Sequence, residues 1–522
     1  MNILKKTKLA MAMTAFVGIA SVSNVSAIQV NTDGSGRILM APVMIATSGN
    51  STSVTVTNTN ITHAVKAHLA IRTEKESKEV FDFILYLSPG DVFRGEFYDK
   101  RGKVMFRTSD DSIKVLNFIG ATEEPPFVGD INPDTGEAYV IEDYEVPTDK
   151  VPAGDTISIG HLEVVGIYSV TGDIKAAKIQ PEDNEIITIH RGMDKRSLRR
   201  IFDMTTPDLL ATNNCADGAT GGTSCNIDSV GSKSAVLRGD ITVDLGNDPV
   251  NYAMTGLVDS DENGNGTIDC TFSYCEKVVA NPFFNQDSGE EMKMGYLMGV
   301  NTGTHGAAHN LYNIDRALSR NVYNGTYEQD DDHGTFMLTS LPTKYMHKGN
   351  DYCSDPGSVV PLGTGEEYSA PFSRMGLVPY SLVLFNNSEQ ACAAFIPPPE
   401  AITKVTLAES GKTCADLEGG LIAWKEEQNP DGTLLCISKA DIVEVISDRV
   451  YGYEVQGIPL HCGDDENTNT WFSINKSGWY SMKPIETTRD GTSCNYNGVP
   501  TTIHSVKTRA DGTVLDLIST SQ

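Results

Sequence analysis

The chain has 522 residues, is 39% hydrophobic and carries a net charge of −28 at pH 7. That length holds more than one ordinary domain, and so acidic a surface repels phosphate backbones, which argues against nucleic acid as a partner. After the N-terminal segment, no stretch approaches the ~20 consecutive apolar residues of a membrane helix.

The N-terminus reads as an export signal. Lys5, Lys6 and Lys8 precede an apolar run from Leu9 to Val22, and Val25-Ser26-Ala27 offers small residues for cleavage after Ala27. Losing residues 1–27 removes three lysines and no acid, which takes the charge from −28 to −31. The destination is the cell surface or the extracellular space, or alternatively the periplasm. Acidity of this size suits a solvated exterior or divalent cations.

From residue 28 the pattern is that of β-strands. Arg37 to Ala46 is nearly all apolar, and Val54 and Val56 alternate with threonines. Val65, Ala67, Leu69 and Ile71 share one face, with Lys66, His68 and Arg72 on the other. Phe81, Phe83, Leu85 and Leu87 repeat the period of two until Ser88-Pro89-Gly90. Strands at this spacing read as an immunoglobulin-like β-sandwich. Further strands are predicted at 157–168, 235–245, 336–341 and 377–385, separated by polar insertions at 122–154, 211–233 and 258–290. Helices are predicted at 193–204 and 311–320, the second with Asp315 and Arg316 on an exposed side.

Ile396-Pro397-Pro398-Pro399-Glu400 marks a stiff extended spacer. The predicted organisation is a mainly β protein: a sandwich domain with long insertions over 28–395, a Pro-rich linker at 396–400, and a smaller disulfide-linked β module over 401–522. The cysteines at Cys215, Cys225, Cys270, Cys275, Cys353, Cys392, Cys414, Cys436, Cys462 and Cys494 are even in number in an exported chain, which argues for disulfides. Sequence does not fix their connectivity; neighbours pairing in order is one arrangement.

The segments Asn31-Thr32-Asp33-Gly34, Val56-Thr57-Asn58-Thr59, Ala64-Val65-Lys66, Val80-Phe81-Asp82-Phe83 and Leu87-Ser88-Pro89-Gly90-Asp91-Val92 resemble a family of exported bacterial proteins without an established function. Weaker similarity recurs at 160–164, 311–313 and 341–344. The resemblance implies one β-rich unit with insertions over most of the first 390 residues, and it supplies no catalytic residue.

The strongest chemical pattern is a calcium loop. Asp259 precedes Asp261, Asn263, Asn265 and Asp269, which place oxygens at loop positions 1, 3, 5 and 9, with Gly266 at the turn and the Thr267 carbonyl at position 7. Phe272 stands where a bidentate Glu is usual, so Asp259 or Glu276 would have to complete the shell. An ordinary Asp/Asn/Gly turn is the competing reading. His305 and His309, near Asp330-Asp331-Asp332-His333, have metal-ligand spacing but lack the glutamate of a metalloprotease motif. No serine elbow occurs. Trp471, Trp479 and Tyr480 flank a predicted hairpin turn at 475–478, where they either stack on a glycan or fill a small core.

The expectation is a non-enzymatic structural or adhesive protein stabilised by calcium as a cofactor, with other surface components or a second copy as partner. The alternative is a carbohydrate- or peptide-binding module, and a secreted hydrolase ranks third.

Overall fold

Between Ser51 and Asn58 every second residue is buried and the others are half-buried, the pattern of a strand with one face on a core. The same rule governs most of the chain, which is mainly β. The computed structural model describes residues 28–31, 34–47, 49–118, 125–175, 186–202, 225–228, 237–244, 249–259, 314–315, 317–319, 323–328, 333–351, 360–361, 367–372, 380–386 and 391–396. Beyond these it describes 405–407, 424–428, 434–438, 453–454, 477–484, 498–509 and 514–519.

The first part contains β1 (Ile28–Asn31), β2 (Ser35–Gly36), β3 (Ile38–Ile45), β4 (Ser51–Asn58), β5 (Ala64–Thr73), β6 (Glu79–Leu87), β7 (Val92–Asp99) and β8 (Val104–Thr108). It continues with β9 (Ile141–Glu145), β10 (Ile159–Lys175), β11 (Ile186–Thr188), helix α1 (Lys195–Phe202), β12 (Cys225–Asp228), β13 (Leu237–Asp244), β14 (Pro249–Ala253) and β15 (Thr255–Asp259). One antiparallel sheet runs β1-β15-β3-β10-β5-β6, with β11 and β12 added to β10. The other runs β14-β13-β4-β7-β8-β9, with β2 on β13.

These sheets face each other across one apolar core. Leu39, Leu69, Ile71, Phe81 and Phe83 come from the first, and Val54, Val56, Phe93, Phe97 and Phe106 from the second. The rings of Phe83 and Phe106 lie 5.1 Å apart, and those of Phe97 and Phe106 4.8 Å apart. This crowding explains Gly95: a Cβ there would lie 2.8 Å from the Phe106 ring and 2.9 Å from that of Phe93. The polar insertion at 122–154 contributes β9, an edge strand whose Glu142, Asp143 and Glu145 point to solvent or lie exposed.

The outer face of the first sheet is also covered. Helix α1 begins where Asp194 caps it, accepting from the Ser197 amide at 2.9 Å, within the predicted 193–204. Its Leu198, Ile201 and Phe202 pack with Ile84, Tyr86 and Phe127 in a second apolar cluster. A third cluster joins Ile38, Met40, Val165 and Leu257 of the sheet to Ile314, Leu318 and Met346.

The later part contains β16 (Tyr323–Glu328), β17 (His333–Ser340), β18 (Asn350–Asp351), β19 (Val360–Pro361), β20 (Tyr380–Asn386) and β21 (Ala391–Ile396). After these come β22 (Val405–Leu407), β23 (Trp424–Gln428), β24 (Leu434–Ser438), β25 (Tyr453–Glu454), β26 (Ser477–Pro484), β27 (Thr502–Arg509) and β28 (Val514–Ser519). They form sheets in the orders β16-β26-β20-β21, β25-β17-β27-β28 and β22-β24-β23, plus the pair β18-β19. Sheets therefore run across residues 396–400, where the sequence placed a boundary between 28–395 and 401–522. Thr502 lies opposite Ser340, and Lys483 opposite Ser381. Among the described strands, only β22–β24 form a sheet confined to residues beyond 400.

Candidate functional site

A cluster of charged side chains lies buried on the outer face of the first sheet. The period of two sends Leu69 and Ile71 of β5 into the core and leaves His68 and Arg72 on the opposite face. Leu162 and Val164 of β10 do the same for His161 and Glu163. A register shift between Ile71 and Arg72 pairs Arg72 with Glu79, so a β-bulge turns Glu79 toward the same face as Asp82. Ala70, opposite both Glu163 and Asp82, keeps the middle of the face low. Gly160 lets β10 approach: a Cβ there would lie 2.1 Å from the Arg72 carbonyl oxygen.

Arg72 is 1% exposed and organises the cluster. Its Nε donates to Glu163 Oε1 at 2.6 Å, its Nη2 reaches Glu79 Oε2 at 3.3 Å, and its Nη1 donates to the Ser77 carbonyl at 3.0 Å. His68 Nε2 lies 3.0 Å from Asp82 Oδ2 and 4.0 Å from Glu79 Oε1. Burial opposes the charge on His68, yet the hydrogen bond to Asp82 and the pull of Glu79, Asp82 and Glu163 outweigh it and raise its pKa. Burial pushes Glu79 up to about 7, against the pull of His68 and Arg72. Asp82 is held below the usual carboxylate range, its burial outweighed by His68 and Lys150. His161, buried beside the Arg72 charge, falls to about 3 and stays neutral.

The turn after β5 ties this cluster to the later part of the chain. Ser77, at φ +58°, donates from its hydroxyl to the Leu341 carbonyl at 2.7 Å. Lys344 donates to the Lys75 carbonyl at 2.9 Å, and Lys348 pairs with Glu76 at 2.9 Å.

Nearby, His347 stands between Asp315 Oδ2, 2.8 Å from its Nε2, and Ser369 Oγ, 2.9 Å from its Nδ1. This is a hydroxyl–imidazole–carboxylate chain, but all three residues are fully buried and the Phe372 ring packs on the imidazole at 5.2 Å. The hydroxyl is closed off from solvent in this arrangement, and the chain links the segments that carry Asp315, His347 and Ser369. Asp315 was expected on an exposed helix side; it is instead buried, because Ile314 and Leu318 turn that helical stretch onto the sheet and His347 closes over it. Arg316 lies outside the described residues.

The second sheet leaves its outer face open. An open groove of about 660 Å³ crosses β4, β7, β8 and β9, lined by Ser53, Thr55, Arg94, Glu96, Tyr98 and Arg107 with Glu142 and Asp143 at its rim. The Arg107 guanidinium lies over the Tyr98 ring at 4.9 Å and pairs with Glu96 at 2.6 Å. Tyr98 and Lys100 both donate to the Asp143 carboxylate. Burial and that carboxylate push the Tyr98 phenol up to about 12, so it remains a hydrogen-bond donor.

Of the residues singled out in the sequence, Asp259 ends β15, paired with Ile28. Asp261, Asn263, Asn265, Thr267 and Asp269 lie outside the described residues, as do Trp471, His305 and His309. The side chains of all ten cysteines and of Tyr480 lie outside them too. Trp479 is 43% exposed on β26, opposite Thr326 and Phe385. Ser477 and Gly478 begin that strand, so its neighbours are β16 and β20. Sequence reasoning placed His68 and Arg72 on one face of β5 without signalling their burial, and it missed Glu79, Asp82 and Glu163. The groove was also missed, although Arg94, Glu96 and Tyr98 alternate with Phe93, Gly95 and Phe97.

No family model matches the chain, and no curated protein or solved structure matches it either. Among the described residues, no helix is long and apolar enough to cross a membrane.

The raised pKa of Glu79 gives a signed pH dependence. The native state holds a proton that the unfolded chain releases above its ordinary value of 4.5, so the Glu79 contribution is present below 4.5 and lost as pH rises through about 7. His161 acts oppositely, its contribution being lost as pH falls below 6.5. Glu79→Gln isolates the first effect. Its urea midpoint should gain on the parent from pH 5 to pH 8 and level off above that, by up to about 3 kcal/mol.

Proposed function

We propose that this chain is an exported structural or adhesive protein of the cell surface, non-enzymatic, that engages its partner through the open face of the second sheet. The observation that carries this reading is the groove around Tyr98. One face of the first sheet is covered by α1 and the third cluster, whereas the groove face offers one aromatic ring, two guanidiniums and three carboxylates to solvent. Planar polar groups around an aromatic ring suit the vicinal hydroxyls and apolar faces of a glycan, or the backbone and side chains of a peptide. The acidic edge strand β9 disfavours self-pairing there, so other surface components are the better partners than a second copy. Calcium held by Asp259 to Asp269 would stiffen the insertion after β15, and disulfides would brace the later part of the chain.

A second reading rests on Trp479, whose exposure on β26 suits a carbohydrate-binding surface there. The two are separable. On intact cells, surface biotinylation should label the native protein without lysis, with a periplasmic protein as the unlabelled control; protection until the outer membrane is broken would sink the surface assignment. Glycan and surface-protein arrays should then lose their signal by at least about tenfold with Tyr98→Ala plus Arg107→Ala, the scale of one lost anchor contact. Loss with Trp479→Ala alone moves the site to β26.

Calcium has its own test. At about 10 mM calcium, roughly a hundred times a Kd on the order of 10⁻⁴ M, the loop should stabilise the chain by about 2.7 kcal/mol in thermal unfolding. Asp261→Ala should abolish that gain, and an unchanged gain would exclude the loop.

A further inference from the structure

We propose that His68, Glu79 and Asp82 form a binding site for a transition-metal dication of the zinc type, distinct from the calcium loop and independent of the partner-binding groove. Nε2 of His68 and one carboxylate oxygen from each acid all lie within 4.8 Å of one another. A tetrahedral ion with ligands at about 2.1 Å separates them by about 3.4 Å. The observed separations from Nε2, 3.0 Å to Asp82 and 4.0 Å to Glu79, bracket that value, so small side-chain rotations complete the set. An imidazole with two carboxylates is a zinc-like donor set; calcium would call for six to eight oxygens.

Charge gives a second, independent reason. Among the described residues, Glu79, Asp82 and Glu163 face one buried guanidinium, that of Arg72, and Lys150 acts on Asp82 from an exposed position. With His68 neutral, the buried set carries an excess of two negative charges, which is costly away from water. Two protons neutralise it, or one dication does. Glu163 Oε2 is buried without a hydrogen-bond partner, a further uncompensated oxygen in the same cluster. The guanidinium opposes a cation, but Glu163 engages its Nε directly, and three carboxylates outweigh it. Asp82, with its side chain 34% exposed, provides the entry path.

Metal and protons then compete for the same atoms. An imidazole and two carboxylates ligate a metal only in their deprotonated forms, so affinity falls as pH is lowered.

The test uses the full chain purified after export, stripped with chelator and titrated with Co²⁺ in saturating calcium, with Zn²⁺ as competitor. The expected result is one Co²⁺ per chain, a visible d–d band, displacement by Zn²⁺, and binding at least about tenfold weaker at pH 6 than at pH 8. His68→Gln and Asp82→Asn should each weaken binding at least about tenfold, while His309→Ala leaves it unchanged. Asp82 is the least buried of the three, so Asp82→Asn keeps the fold by circular dichroism and decides the matter if His68→Gln does not fold. Absence of stoichiometric binding overturns the proposal, as does binding that survives Asp82→Asn or is lost with His309→Ala.

Discussion

A single buried guanidinium fixes how this molecule is put together. Arg72 sits on the face of a strand that would ordinarily meet water, and it stays there because Glu163, Glu79 and the Ser77 carbonyl satisfy it. Removing one partner from such a network leaves a buried charge uncompensated, which costs about 3–5 kcal/mol. The network is also directional. It holds the 74–78 turn in a left-handed conformation at Ser77, and that turn receives Leu341, Lys344 and Lys348 from the later part of the chain.

The two sheets therefore have unequal fates. The first is buried on both faces, by the aromatic core within and by α1, Ile314, Leu318 and the charged cluster without. The second keeps one face open, and Arg94, Glu96, Tyr98 and Arg107 line the groove on it. Both the proposed partner site and the proposed metal site follow from this asymmetry. The first needs access, and the second needs a low-dielectric setting in which excess negative charge calls for a counter-ion.

Much of the fold is legible in the sequence because period-two alternation reports a half-buried strand directly. Val54 and Val56, the odd-numbered apolar residues of 65–71 and the Phe81 to Leu87 series all lie in the core on the faces that alternation gives them. Burial of the opposite face is not legible, because it depends on segments hundreds of residues away: Met346 and Leu318 cover Met40, and Leu341 meets Ser77. For the same reason Asp315 reads as exposed until His347 is placed over it. The prolines at 397–399 read as a boundary since local stiffness is visible in sequence, whereas the β20–β26 and β17–β27 ladders that cross it are long-range pairings. The charged cluster escaped notice because its members come from three strands and one depends on a bulge.

The most direct test of this account is hydrogen exchange read by mass spectrometry across a urea series, comparing the parent with Arg72→Met. Loss of the guanidinium should lower the unfolding midpoint by the equivalent of about 3–5 kcal/mol. Protection of 74–78 and 341–348 should disappear at lower urea than protection of β4 and β7 in the second sheet. An unchanged midpoint, with 341–348 protected as in the parent, would contradict the claim that Arg72 holds the two parts of the chain together.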